Sequence, residues 1–197
     1  MANAVILPGE RLAGLSADLF HKLQAGSLTL DELALFTQRK NPFKTTPVFG
    51  LFRLTIDYGQ PFERMIAAGR YDWKNGDITA KRFPITGKGV VEFEGRYFHF
   101  NRYISSENAI QEIEAADTAN PWSAAKIEHV LSHGTAFPEK QRKFPIIGLG
   151  SVAEVDGDRS VPGLDKYGSE RGLGLDWFDD DWDPICRFLA VREVSVP

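Results

Sequence analysis

The chain has 197 residues, is 43% hydrophobic and 25% charged, and sets 23 Lys and Arg against 27 Asp and Glu, a formal net charge of −4. That is the composition of one folded domain with at most a small appendage, and its acidic balance argues against a protein that grips phosphate backbones. The single cysteine, Cys186, rules out an internal disulfide and a Cys-rich zinc site, and no apolar run approaches the ~20 residues of a membrane span. Met1 to Pro8 lacks a basic stretch followed by a long apolar core, so no secretory signal is expected. The protein is expected to be made in a reducing cytoplasm, and where it acts stays open.

Residues 1–46 read as a helical hairpin. Ser16 can cap a helix carrying Leu19, Phe20 and Leu23 that ends at Gly26, and Thr29 and Glu32 have capping-box spacing before Leu33, Leu35 and Phe36. Asn41-Pro42 stops the second helix. Five bases against four acids in this stretch lack the footprint of a DNA-binding helix-turn-helix, which favours a packing or docking element.

Residues 47–75 read as a connecting segment with a strand at 48–58 and a short helix or extended stretch at 61–69. Lys74-Asn75-Gly76-Asp77 is a turn signal. Val90 to Asn101 is rich in β-branched and aromatic residues and reads as a hairpin around Glu94-Gly95. Ser105-Ser106 opens a helix with Ile110 and Ile113 on one face, and Asn120-Pro121 is a sensible start for another carrying Ile127, Val130 and Leu131. From Phe144 onward strands are expected: 144–155, 160–164, 171–178 and 187–196. Turns at Asp156-Gly157-Asp158 and Tyr167-Gly168-Ser169 separate them. The fold class expected is α+β.

Three motifs invite chemistry and each has an ordinary reading. His129 and His133 share a helix face, but Glu128 precedes the first His instead of following it and no third ligand is apparent, so core histidines are expected. Gly148-Leu149-Gly150-Ser151-Val152-Ala153 matches a dinucleotide fingerprint, yet Asp156-Gly157 and Pro162 follow where a helix is needed. The Asp-rich run 176–183 lacks the central Gly and twelfth-position Glu of a calcium loop. No GxSxG elbow is present and nothing around Cys186 forces a low pKa, so no enzyme, metal or cofactor is expected.

The last quarter of the chain carries the information. Residues 151–197 hold 11 acids and 5 bases. In Arg171 to Phe178, strand alternation puts Leu173, Leu175 and Trp177 on one face as hydrophobic anchors, and Gly172, Gly174 and Asp176 on the other. Phe178 and Trp182 then bracket Asp179-Asp180-Asp181, and the miscellaneous Asp183-Pro184-Ile185-Cys186 precedes the regular strand Arg187 to Arg192. Ordered anchors alternate with seemingly arbitrary residues.

The anchors carry a resemblance. Phe144-Pro145-Ile146-Ile147, Leu149-Gly150-Ser151-Val152, Arg159, Val161-Pro162, Gly168-Ser169, Arg171, Leu173, Leu175, Trp177-Phe178-Asp179, Trp182 and Arg187-Phe188-Leu189-Ala190-Val191-Arg192 resemble the C-terminal region of variable proteins, the targets of diversity-generating retroelements. The resemblance extends back through Tyr71-Asp72-Trp73, Phe98-His99-Phe100 and Ser105-Ser106. It implies a C-type-lectin-like domain over 76–197, a non-enzymatic function, and a variable ligand-binding region at about 153–187. In that family a reverse transcriptase copies a template repeat with errors at adenines, so that Asn codons become codons for many residue types.

The residues between the matching positions are then the expected ligand contacts: Val155, Asp156, Asp158, Ser160, Gly163, Asp165, Lys166, Tyr167, Glu170, Gly172, Gly174, Asp176, Asp180, Asp181, Asp183, Pro184, Ile185 and Cys186. Lys166 and Glu170 are not reachable from an Asn codon that keeps its final pyrimidine. The expected partner is a macromolecule, a protein and not a nucleic acid, and no membrane insertion is expected. Two alternatives stand beside this reading: a calcium-dependent carbohydrate-binding lectin-like protein, and an interaction module of undiversified specificity.

Overall fold

The apolar run Phe188-Leu189-Ala190-Val191 becomes the middle of a sheet covered on both faces, which is why it does not alternate with polar residues. In the computed structural model, residues 19–25, 33 and 50–194 are described. The chain divides into two units, 1–49 and 50–197. In the first, residues 19–24 are helical. The remainder of the helical hairpin expected over 1–46 lies outside the described residues, apart from the helical Leu33.

The second unit is mixed α+β, a large sheet with few helices. In chain order it runs β1 (Phe52–Asp57), α1 (Phe62–Ala68), β2 (Trp73–Lys74), β3 (Val90–Phe98), α2 (Ser106–Ala115), β4 (Ser123–Ala124), α3 (Ile127–Ala136), β5 (Ile146–Ile147), β6 (Ala153–Val155), β7 (Asp158–Tyr167), β8 (Glu170–Trp177) and β9 (Arg187–Glu193). The strand order is β1-β3-β9-β5-β7-β8-β2, with β4 also paired to β9 and β6 to β7. Two pairings are parallel, β5 with β9 and β2 with β8.

Each face of the sheet has its own core. On one, Leu164, Leu173, Leu189 and Val191 pack with Phe62, Met65 and Ile66 of α1 and with Ile127, Val130 and Leu131 of α3. On the other, Ile147, Val161, Phe188 and Ala190 pack with Ala109 and Ile113 of α2 and with Trp122, Phe178 and Trp182. Ser105 caps α2 as the sequence indicates, its hydroxyl accepting from the Asn108 N–H at 3.3 Å.

Four expectations need correction. The segment 47–75 is no connection, because β1 pairs with β3 and β2 with β8, so the sheet already begins in it. Val90–Phe98 is one continuous strand and Gly95 makes no turn; the Phe52 ring lies over it, in space that a β-carbon at 95 would occupy. Asn120-Pro121 starts no helix. Residues 123–124 pair with β9 instead and Trp122 is buried, and the helix begins only at Ile127. Residues 144–155 form two short strands, β5 and β6, around a loop at 148–152. There Gly150 donates to the Ala125 carbonyl at 2.9 Å, and a β-carbon on it would overlap the Ala124 carbonyl. The glycines of the dinucleotide-like motif thus permit a close approach of backbones.

Candidate functional site

The β7–β8 hairpin is the platform. Its register pairs Val161 with Asp176, Gly163 with Gly174, Asp165 with Gly172 and Tyr167 with Glu170. Directly opposed residues share a face and alternate residues repeat it, so these eight lie on one side. Leu164 and Leu173, also paired, point to the other side and are buried in the α1/α3 core.

Arg171 locks that lower side. It is buried at 6% exposure, and its guanidinium donates to the Gly69 carbonyl at 2.8 Å, the Gly134 carbonyl at 2.8 Å and Gln141 Oε1 at 3.0 Å. Gln141 Nε2 in turn donates to the Asp165 and Gly172 carbonyls at 2.6 and 2.9 Å. Among the described residues no carboxylate pairs with its guanidinium, and its desolvation is offset by carbonyl dipoles that tie β8 to the ends of α1 and α3. The Tyr71 ring, 5.2 Å away, adds a cation–π contact.

The upper side carries three glycines, of which Gly163 and Gly172 are buried under neighbouring side chains. A β-carbon on Gly174 would meet only the Trp73 ring, at 3.7 Å, and one on Gly172 would touch the Trp73 and Tyr167 rings at 3.4 Å. Trp73, brought alongside Gly172 by the parallel β2–β8 pairing, is 45% exposed, and Tyr167 is 62% exposed. The two rings meet edge to face with centroids 6.0 Å apart.

The loop 178–186 forms the second wall. Trp182 Nε1 donates to Ser106 Oγ at 2.8 Å, whose hydroxyl donates to the Phe178 carbonyl at 2.6 Å, and Ile104 and Trp182 bridge backbone to backbone. Arg159 pairs with Asp179 and lies over the Phe178 ring, and it holds the Asp179 carboxyl below its usual range. Further along, Arg187 donates to the Ile185 carbonyl at 2.8 Å, and His99 Nε2 donates to the Pro184 carbonyl at 2.8 Å. The loop is thus held largely through its backbone and its two aromatic anchors. Asp180, Asp181, Asp183 and Ile185 project outward and are exposed.

Between platform and loop lies a cleft of about 410 Å³ bordered by Pro145, Ile147, Leu175, Trp177 and Trp182, and by Asp165, Asp176, Asp180, Asp181, Asp183 and Cys186. Although Asp176 is an exposed residue, its carboxylate lies where a β-carbon on Gly163 would sit. Desolvation there, with Asp165 nearby, pushes its pKa up to about 6. Burial and the surrounding carboxylates push the Cys186 thiol up to about 11, which favours the protonated thiol at neutral pH. Among the described residues no group of three or more His, Cys, Asp or Glu is arranged to hold a metal ion, and no helix is long and apolar enough to cross a membrane.

The structure brings together Gly163, Asp165, Tyr167, Glu170, Gly172, Gly174 and Asp176 on the platform, and Asp180, Asp181, Asp183, Pro184, Ile185 and Cys186 on the loop. It leaves five expected contacts apart. Val155, Asp156 and Asp158 sit at the β6–β7 tip, where Asp156 takes φ +53° and Gly157 +93°. That tip is the far end of β7, about 30 Å from Tyr167 at the usual strand rise. Ser160 is buried at 4% exposure and, with Lys166, falls by alternation on the lower side. Trp177 corrects a further expectation. Along the lower side cover thins from buried Leu173 through half-buried Leu175, and Trp177 at the strand end is 60% exposed, a cleft residue and no anchor.

His129 and His133 are core residues. The Lys126 N–H donates to His129 Nδ1 at 2.9 Å, the Tyr97 hydroxyl and His133 Nε2 are 2.5 Å apart, and Phe52, Phe93 and Phe137 pack on the rings. Burial holds both pKa values down at about 3.

No family model matches the chain, and neither the curated proteins nor the solved structures yield a match.

Proposed function

We propose that this chain is a non-enzymatic binding protein of C-type-lectin-like fold, the variable protein of a diversity-generating retroelement, and that the upper side of β7 and β8 with the 178–186 loop takes a protein ligand. The observation that carries the reading is the sorting of two interleaved sets of residues. Thirteen of the 18 residues that separate the family-like anchors gather on the platform and its adjoining loop. The anchors Arg171, Leu173, Phe178, Trp182 and Phe188 are buried beneath or behind them. Gly163, Gly172 and Cys186 are buried, and the other ten are exposed or half-buried. Substitutions at exposed positions shift stability by about ±0.5 kcal/mol, against about 3–5 kcal/mol for truncating a buried aromatic, so the exposed members can change at little cost to the frame.

The lectin-like fold is supported by the antiparallel pairing of β3 with the last strand, β9, and by the two helices α2 and α3 that lie between them in sequence ahead of the remaining strands. The test is the DNA that flanks the coding sequence. A reverse-transcriptase gene is expected beside a near-copy of the stretch encoding residues 163–186, differing from it at adenines. Flanking DNA with neither feature would overturn the retroelement reading.

A further inference from the structure

Trp73 lies outside the sequence stretch from which the other contacts come, yet it stands in the middle of their surface. The registers place Trp73, Gly172 and Asp165 in one row across β2, β8 and β7, with Gly174 and Gly163 forming the next row between β8 and β7. Adjacent strands are about 5 Å apart, so Trp73 and Asp165 stand about 10 Å apart across Gly172, which is itself buried with the Trp73 and Tyr167 rings against it. Tyr167 stands at one end of these rows against Trp73, and the Asp176 carboxylate lies over Gly163 at the other.

The charge around these rows is one-sided. Among the described residues none of Asp165, Glu170, Asp176, Asp180, Asp181 and Asp183 takes part in a salt bridge. The nearby bases are engaged elsewhere. Arg171 is buried among carbonyls, Arg142 pairs with Glu139 and the Ser169 carbonyl, and Arg187 donates to carbonyls of 184–186 over the Phe144 ring. Alternation puts Lys166 and Lys74 on the lower side. Phosphate is repelled by such a field, and a cation is drawn to it.

Exposed aromatic rings beside carboxylates outside any salt bridge among the described residues match a planar cation that stacks and forks its hydrogen bonds, which favours a guanidinium over an ammonium. We propose that the open face of β2, β7 and β8 holds an arginine side chain presented by a protein partner, stacked against Trp73 and Tyr167 and donating to Asp165 and Asp176. The inference rests on the binding-face reading above and specifies the chemistry of its ligand.

The test uses the full chain with hexa-arginine, hexa-lysine and hexa-glutamate peptides, following the tryptophan indole N–H signals by NMR. Hexa-arginine is expected to move the Trp73 signal, leave those of buried Trp122 and Trp182 in place, and bind more tightly than hexa-lysine, while hexa-glutamate moves nothing. Trp73→Ala and Tyr167→Ala are each expected to weaken hexa-arginine about two- to fivefold, the scale of an exposed cation–π contact, with unchanged Trp122 and Trp182 signals reporting an intact fold. Asp165→Asn is expected to weaken it likewise and to flatten its salt dependence. An unmoved Trp73 signal, equal binding of the lysine peptide, or unaltered affinity in the aromatic variants overturns the inference. Binders selected from a displayed loop library separate the two readings. Binders that map to this face without arginine overturn the guanidinium inference and leave the binding face standing, whereas binders that all map elsewhere overturn both.

Discussion

The two sides of the β7–β8 hairpin are built from adjacent residues and obey opposite rules. Below, Leu164, Arg171 and Leu173 are buried, and each polar atom of the Arg171 guanidinium has a carbonyl or amide partner. Above, Gly163, Gly172 and Gly174 carry no side chain, Asp165 and Asp176 carry carboxylates that enter no salt bridge among the described residues, and Tyr167 reaches into solvent. The contrast teaches that stability and recognition are separated here by the two-residue period of a strand and not by distance along the chain.

The comparison breaks most sharply at Arg171. Arg171→Met strands the Gly69 and Gly134 carbonyls and Gln141 Oε1 in the core, and a loss of about 3 kcal/mol or more in unfolding free energy is expected from chemical denaturation. A loss below about 1 kcal/mol would show the network to be incidental.

The buried histidines come next. His129 and His133 have folded pKa values of about 3 against an ordinary 6.5, so between these values the unfolded chain binds protons that the folded chain refuses. Their stabilisation is present above pH 6.5 and is lost as the pH falls toward 3. Asp176, raised to about 6, acts in the opposite sense and stabilises relatively as pH falls below 6, but its exposure keeps that effect small. Urea midpoints measured from pH 7 to pH 4 are expected to fall, and to fall less steeply in a His129→Gln/His133→Gln double variant.

A subtler case lies on the upper side itself. A β-carbon on Gly163 would displace the Asp176 carboxylate, the movable end of its side chain, and meet the Ile147 δ-methyl at 3.3 Å, so Gly163→Ala alone is expected to cost about 1 kcal/mol or less. In an Asp176→Gly background the same change should cost less. A coupling of about 0.5–3 kcal/mol in a double-mutant cycle is the expected range for groups in contact. Simple additivity would mean that the two positions vary independently. The smallest effects belong to Tyr167→Ser, Asp180→Ser and Ile185→Ser, each expected within about ±0.5 kcal/mol by denaturation.

The strand alternation of 171–178, the Ser105 cap, the buried β9 run and the core histidines were legible in the sequence because each is set by local chemistry: a period, a capping hydroxyl, an apolar run, an incomplete ligand set. What escaped depends on partners far along the chain. Gly95 reads as a turn residue until Phe52 is known to cover it, and Asn120-Pro121 reads as a helix start until β9 claims residues 123–124. Ser160, Asp156 and Asp158 looked equivalent to Asp165, and only the register and the length of β7 separate them. Trp73 joins the platform through a two-residue parallel pairing, for which no local pattern exists.

The central claim, a fixed frame under a replaceable face, is tested most directly by two displayed libraries scored for protease resistance. One randomises Tyr167, Gly172, Gly174, Asp176, Asp180 and Ile185 together, and the other Leu164, Arg171, Leu173 and Phe188. The account predicts that a large share of the first library stays folded and almost none of the second does. Comparable losses in both would contradict it.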